Sequence, residues 1–299
     1  MDRSSNPAGS GAVRADRAAP LVRAKRARTG TLRKATQWAM FLLVAGVAAG
    51  KVLRERGVVI PFPEISFHAV CPFGGVVTVY EFLTTGTLVA KLHTSALVLM
   101  GLGLAVAFLF GPIFCGYFCP LGTWQEWVGK LGKKLFKGKY NRLIPAKADK
   151  YLGLLRDGVL GLVVYQTAVT AKLVFADVDP YFALFNFYTG EVAVTALAVL
   201  GAVTLASLVA ERPWCKYFCP YGALLGLFNL VRVFPVRRRE AACIGCKKCD
   251  AACPMSIQVS QAKAVRDPRC ITCHACLSGA ACPVGDTVVV EAGKGAKAA

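Results

Sequence analysis

Two runs of closely spaced cysteines near the carboxyl end carry the strongest chemical signal in the sequence. The first run, Cys243–Pro254, reads C-x2-C-x2-C-x3-C-P, and the second, Cys270–Pro283, reads C-x2-C-x2-C-x5-C-P. Three thiolates spaced in this way can wrap around one corner of a compact inorganic cluster, and soft iron prefers thiolate ligands. In such paired runs the fourth cysteine usually binds the cluster of the other run.

The spacing therefore predicts two [4Fe–4S] clusters with exchanged ligands. The predicted ligands of the first cluster are Cys243, Cys246, Cys249 and Cys282. The predicted ligands of the second cluster are Cys270, Cys273, Cys276 and Cys253. The exchange ties together a small α+β ferredoxin-like module over residues 240–285, in which metal binding compensates for a small apolar core. Zinc would favour paired C-x2-C ligands, and a disulfide scaffold would not persist on a cytoplasmic face.

A second cysteine motif occurs twice, 100 residues apart. The stretch FCGYFCP over Phe114–Pro120 matches WCKYFCP over Trp214–Pro220. If the helix continued through each motif, both sulfurs of a C-x3-C pair would lie on one helical face and the four thiols could converge. They are candidates for redox thiols or for an additional metal or cluster, and alternatively the motif only shapes a helix end that docks the cysteine-rich module. The four cysteines are Cys115, Cys119, Cys215 and Cys219.

Four apolar segments must position these motifs. A helix needs about 20 mostly apolar residues to cross a bilayer. Each C-x3-C motif directly follows such a segment or its short connecting turn. The predicted spans are residues 35–53, 94–114, 158–175 and 192–210. The sequence therefore predicts an all-α membrane domain over residues 35–235, in which four transmembrane helices form two repeated hairpins.

The charge distribution predicts the orientation in the membrane. Residues 1–34 carry nine Lys and Arg and residues 121–150 carry eight, whereas residues 176–191 carry none. Because basic loops stay in the cytoplasm, both termini are predicted to be cytoplasmic, in a multi-pass protein of a bacterial or archaeal cytoplasmic membrane. Residues 1–34 are interpreted as a basic disordered tail and residues 286–299 as a second tail. The 55% apolar content argues against a nucleic-acid-binding protein despite the net charge of +19.

The combination of four apolar segments, paired C-x3-C-P motifs and two cysteine runs resembles a known group of proteins. It is similar to the NapH-type membrane subunit of periplasmic nitrate reductase systems and to the membrane part of NosR-type proteins. More broadly, about residues 35–285 resemble the 4Fe-4S-binding polyferredoxin membrane proteins. The resemblance implies the electron-transfer subunit of a quinol dehydrogenase-type oxidoreductase. It also implies contact with the lipid and quinone pool and with a ferredoxin-like or cytochrome-type redox partner.

Quinol oxidation needs a proton acceptor beside an apolar pocket. The candidates on the predicted outer side are His68, Glu81 and His93, with Cys71 close in sequence, although each can equally be a solvated loop residue. The preferred hypothesis is a relay of electrons between quinone and a redox partner through the two clusters. The alternative is a maturation or regulatory factor that reduces a metal or thiol during assembly of a respiratory or copper enzyme. The C-x3-C-P thiols would then be its working parts.

Overall fold

The computed structural model describes residues 20–55, 57, 94–141, 144–170, 174–187 and 192–292. Helices dominate this part of the chain up to residue 231. The longer helices are α1 (Pro20–Glu55), α2 (Thr94–Phe110), α4 (Pro120–Phe136), α5 (Ala146–Thr170), α7 (Val194–Ser207) and α9 (Pro220–Val231). The shorter helices are α3 (Ile113–Tyr117), α6 (Pro180–Asn186), α8 (Pro213–Tyr217) and α10 (Lys248–Ala251).

Helices lie at all four predicted spans, but they differ in length and composition. Among the described residues, only the stretch Gly30–Arg54 of α1 is both long and apolar enough to cross a membrane. Helices α2 and α7 are apolar but have 17 and 14 residues, and α5 has 25 residues but carries charges in its first half. The structure is therefore mostly helical with one candidate span, and the four-helix hairpin arrangement stays a prediction.

Helix α2 ends four residues earlier than the predicted span because the chain turns at Gly111. The backbone of Gly111 adopts a φ of +82°, which glycine tolerates and a β-carbon disfavours. A β-carbon there would also lie 2.5 Å from Asn229 Oδ1 and 2.8 Å from Thr272 Oγ1. The turn therefore brings the first C-x3-C motif directly against α9 and the cysteine-rich module.

The two C-x3-C motifs fold alike, and neither is a continuous helix. The short helices α3 and α8 each end at the tyrosine of the motif. The second cysteine, Cys119 or Cys219, is extended and serves as the N-cap of the next helix, which begins with a proline. Proline disfavours helical geometry in the residue before it but suits the first helical position. The condition for placing both sulfurs of a pair on one helical face is therefore not met.

A three-stranded antiparallel sheet closes the cysteine-rich module. The central strand β1 (Val236–Arg238) lies between β2 (Ala264–Val265) and β3 (Val288–Val290), and Val236 pairs with both Val265 and Val290. Along the chain, β1 precedes both cysteine runs, β2 lies between them and β3 follows them, so the sheet joins the two ends of the module.

The apolar core is continuous between the helices and the module. Leu225 of α9, Val236 of β1 and Met255 of the module pack in one buried cluster together with Cys115, Cys249 and Cys282. The cysteine-rich module consequently packs directly on the helices that carry the C-x3-C motifs.

Candidate functional site

Four cysteines drawn from both runs line one small cavity inside the module. The rest of its wall is mainly apolar and includes Met255, Val265 and Ile271. Three of the four cysteines come from the second run and one comes from the first. They are Cys253, Cys270, Cys273 and Cys276. This arrangement gathers the same four side chains that the spacing assigns to the second cluster.

Burial raises the pKa of three thiols of this cavity, Cys253, Cys273 and Cys276. Burial and then the charge of Cys273 raise the pKa of Cys253 to about 12. Burial, followed by the charges of Cys273 and Cys270, raises the pKa of Cys276 well above its ordinary value. Because metal ligation requires thiolates, a cationic iron centre would supply the charge that stabilises them. The donor set and its apolar wall therefore fit an iron–sulfur cluster.

The cysteines assigned to the first cluster differ in exposure. Cys249 and Cys282 are buried, Cys243 is half-buried and Cys246 is exposed. No disulfide joins any of the cysteines in the described ranges. Within the same ranges, no three His, Cys, Asp or Glu side chains are grouped closely enough to hold a single metal ion. A four-iron cluster spaces its thiolates further apart than a single ion does.

The four thiols of the two C-x3-C motifs also influence one another. Burial, then the charges of Cys119 and Cys215, raises the pKa of Cys115. Burial and then the charge of Cys215 raise the pKa of Cys119 to about 12. For Cys219, burial and then the charges of Cys215 and Cys115 raise the pKa well above its ordinary value. Four thiols from positions 100 residues apart in the sequence thus form one electrostatically coupled group.

Two hydrogen bonds hold sulfurs of this group. The amide of Gly222 donates to Cys219 Sγ at 3.3 Å, and Gln125 Nε2 donates to Cys215 Sγ at 3.6 Å. Gln125 is fully buried, and its Oε1 accepts the backbone N–H of Trp214 at 3.1 Å. Gln125 therefore links the helix of the first repeat to the cysteine loop of the second, a role that no local motif indicates.

The first C-x3-C loop docks on the module through Gly116. A β-carbon at Gly116 would lie 2.6 Å from the carbonyl oxygen of Ile271 and 3.0 Å from the Cα of Cys273. The next residue, Tyr117, places its hydroxyl 2.8 Å from Nδ1 of His274. The backbone of the first motif therefore touches the backbone beside a predicted cluster ligand.

The second C-x3-C loop docks through Lys216, which stands where the first loop has glycine. Lys216 Nζ donates to Ser256 Oγ at 2.9 Å and pairs with Asp149 at 2.5 Å. Tyr217 donates its hydroxyl proton to Asp149 Oδ1 at 2.5 Å. The sequence left open whether the motif supplies redox thiols or metal ligands or only docks the module. Both loops contact the module, and the role of their thiols stays a prediction.

We expect Gly116→Ala to weaken this docking. The new methyl group would meet backbone atoms of Ile271 and Cys273, which cannot rotate away, so the module must shift; overpacking of this kind costs about 1–3 kcal/mol. The free energy of unfolding of the detergent-solubilised chain measures the effect. Gly158→Ala is the matched control, because a β-carbon at Gly158 meets nothing within 4 Å. Equal stability of the two variants would contradict the close approach at Gly116.

A buried ion-pair network supports the first motif and was missed by the sequence analysis. Glu126 pairs with Arg33 and, at 2.9 Å, with Arg212, and it also accepts a hydrogen bond from Gln37 at 3.0 Å. Arg212 is fully buried and donates to the carbonyl oxygen of Cys115 at 2.5 Å. Burial acts to raise the pKa of Glu126, but Arg212 and Arg33 outweigh it and hold that pKa below its ordinary value. Arg212, a charged residue between the apolar segment 192–210 and Pro213, was the sequence signal that could have indicated this network.

Side chains at the carboxyl end of α9 and directly after it hold the loop of the second cysteine run. Asn229 Nδ2 donates to the carbonyl oxygen of Cys270 at 2.6 Å. The buried Arg232 places Nη1 3.1 Å from Thr272 Oγ1 and 4.0 Å from Cys270 Sγ. A positive charge therefore lies beside one thiol of the cavity described above.

Comparisons with known proteins agree with this arrangement of sites. Residues 92–139 and 192–239, which contain the two C-x3-C motifs, each match the 4Fe-4S binding domain family. Residues 235–283 match the 4Fe-4S dicluster domain family. An uncharacterised protein of Methanocaldococcus jannaschii, MJ0750, is 31% identical over 217 residues, which are 73% of this chain and 85% of that protein. The chain belongs to the NapH/NosR-like polyferredoxin family.

Two further relatives of this polyferredoxin have names that refer to electron transport or ferredoxins. YccM of Escherichia coli K12, named a candidate electron transport protein, is 33% identical over 233 residues, which are 73% of this chain and 61% of YccM. The ferredoxin-type protein NapH of Haemophilus influenzae is 28% identical over 215 residues, covering 65% of this chain and 69% of NapH. No solved structure matches the chain. The family is one of iron–sulfur electron-transport proteins.

His68, Cys71, Glu81 and His93 all lie outside the residues that the structure describes.

Proposed function

We propose that this polyferredoxin is a membrane-bound electron-transfer protein that relays electrons between the quinone pool and a redox partner protein through two [4Fe–4S] clusters. One observation carries the proposal: Cys253 of the first run lines the same cavity as Cys270, Cys273 and Cys276 of the second. This mixed set is the exchange expected of a two-cluster module. The other four cysteines then hold the first cluster, where the exposed Cys246 offers a soluble partner its nearest approach.

The four coupled thiols of the C-x3-C motifs are proposed to hold a third cluster. Both motifs match a family described as a 4Fe-4S binding domain. The first motif packs against Cys273 through Gly116, so the third site would adjoin the second cluster. When bound, the clusters supply single-electron storage and transfer. The chain contributes the positions of the ligands, an apolar surrounding and the buried arginines.

The link to quinone rests on electron counting and on the predicted membrane arrangement. A quinol that becomes a quinone releases two electrons and two protons, and two clusters can accept one electron each. The protons require a base at an apolar pocket, for which His68, Glu81 and His93 stay the candidates. In the proposed arrangement residues 35–235 form the four-helix membrane domain, residues 240–285 hold the two clusters of the module, and both ends of the chain are cytoplasmic.

Anaerobic purification of the full chain, followed by iron analysis and EPR, tests the proposal. We expect about eight irons per chain for two clusters, or about twelve with the third, because each cluster holds four. Signals should appear with dithionite and also with a reduced menaquinol analogue, while the oxidised analogue serves as the control. Signals that appear with dithionite but never with the quinol would remove the quinone link. About four irons or fewer would remove the two-cluster relay.

A second candidate function is a maturation or regulatory factor that reduces a metal or thiol in a partner enzyme. The observation in its favour is the burial of four coupled thiols next to the predicted second cluster. The double variant Cys115→Ser/Cys215→Ser separates the two functions. If quinol still reduces the clusters of the module in this variant while a partner enzyme stays unassembled, the maturation function is favoured over the relay.

A further inference from the structure

Arg156 is a buried cation with two unsatisfied N–H donors. Its side chain on α5 is 1% exposed. Within the described part of the chain, Nε and Nη2 of this guanidinium meet no hydrogen-bond acceptor. A buried guanidinium without a counter-charge is strongly unfavourable. The position of Arg156 therefore calls for an anion that the polypeptide does not supply at those two nitrogens.

The first repeat shows what is missing around Arg156. Arg33 of α1 and Arg156 of α5 each follow a leucine, and α1 packs on α4 as α5 packs on α9. Arg33 pairs with Glu126, whereas Arg156 approaches Gly226, which lies 100 residues further along the chain than Glu126. A β-carbon on Gly226 would be 3.0 Å from Arg156 Nη2. The second repeat therefore has a glycine where the first repeat has the neutralising carboxylate.

The ionisable groups around Arg156 leave a limited choice of anion. The charge of Arg156 acts on Asp267, but Arg269 holds that carboxylate through two side-chain hydrogen bonds, at 2.8 and 3.1 Å, and one backbone hydrogen bond at 2.8 Å. The others are thiols of the coupled group. Gly222 and Gly226 lie one helical turn apart on α9, and Cys219 Sγ accepts the amide of Gly222 at 3.3 Å while Arg156 Nη2 adjoins Gly226. The charge of Arg156 also opposes the burial that raises the pKa of Cys115 and of Cys215. Arg212 also acts on both thiols, but Glu126 already neutralises Arg212. Arg156 is thus the cation near these sulfurs that lacks a carboxylate of its own repeat.

We propose that Arg156 is the counter-charge of an iron–sulfur cluster held by Cys115, Cys119, Cys215 and Cys219, and that it raises the reduction potential of that cluster. This inference rests on the third cluster proposed above. A [4Fe–4S] cluster with four thiolate ligands is an anion, and reduction adds one further negative charge. A fixed guanidinium in a buried site favours the more negative, reduced form. Arg156 is therefore a positioning residue that tunes electron transfer.

An EPR-monitored redox titration of the anaerobically purified full chain tests this role. In Arg156→Gln we expect the ratio of reduced to oxidised third cluster, measured at the wild-type midpoint potential, to fall about tenfold. For a one-electron couple this equals a shift of about 59 mV towards lower potential. Arg156→Lys keeps the charge and should restore most of the wild-type potential. Lys130→Gln removes an exposed charge from α4 and is the control for a general change in net charge.

The outcomes separate this inference from the function on which it rests. A wild-type chain without a third signal would overturn the third cluster, and with it the role of Arg156. A third signal whose potential is the same in Arg156→Gln and in the wild type would overturn the counter-charge alone. If Arg156→Gln fails to load the third cluster, Arg156→Lys decides between charge and shape. Loading of the third cluster in Arg156→Lys at the wild-type potential supports the counter-charge. Failure of Arg156→Lys to load the cluster overturns it, because the charge is then present without effect.

Discussion

Replacing Cys253 by serine is expected to abolish the EPR signal of the cluster bound by the second cysteine run, although Cys253 belongs to the first. The reason is the shared cavity, in which Cys253 lies with Cys270, Cys273 and Cys276. Loss of one thiolate should remove about four irons per chain. It should also destabilise the module, because metal ligation contributes directly to the folding of small metal-bound domains.

Iron analysis and EPR of four serine variants measure this effect. Cys253→Ser should match Cys270→Ser in the signal that is lost. Cys243→Ser and Cys246→Ser, two members of the same run as Cys253, are the matched controls and should lose the other signal. If Cys253→Ser instead matches Cys243→Ser, each run binds its own cluster and the exchange of ligands is wrong.

Replacing Glu126 by glutamine is expected to destabilise the chain by about 3–5 kcal/mol. The substitution leaves the fully buried Arg212 next to an uncharged amide, and it releases Arg33 as well. Because the pKa of Glu126 is depressed in the folded chain, its stabilising contribution is complete above the unfolded carboxyl pKa, about 4.3. That contribution is lost as the pH falls through the folded pKa.

Unfolding of the detergent-solubilised chain between about pH 7 and pH 3 measures both parts of this prediction, since the unfolded carboxyl titrates in that interval. Glu126→Gln should be less stable than the wild type at neutral pH, and its stability should fall less on acidification. Glu240→Gln is the control, because the side chain of Glu240 is 54% exposed and its ion pair with Arg238 is 3.3 Å long. Similar losses in both variants would contradict the buried network.

Short-range sequence patterns predicted the local elements of this protein. The spacing of the eight cysteines predicted a dicluster ferredoxin-like region, which a family match over residues 235–283 supports. The repeat at an offset of 100 residues predicted two equivalent copies of one motif, and the backbones of the two copies are alike. Helical conformation was also foreseen at each apolar segment. Apolarity alone did not set the helix ends, because Gly111 and the prolines after Cys119 and Cys219 interrupt the helices first.

The tertiary structure decided which distant groups meet. No local rule indicates that Gln125 reaches Cys215 or that Gly116 touches Ile271. The partners of Glu126 lie 93 and 86 residues away along the chain, so their pairing depends on how α1 and α8 pack beside α4. Spacing along the chain fixes which side chains can share one turn or one short loop. Only packing between repeats fixes which buried charge finds a partner, and two nitrogens of Arg156, opposite a glycine, meet no acceptor among the described residues.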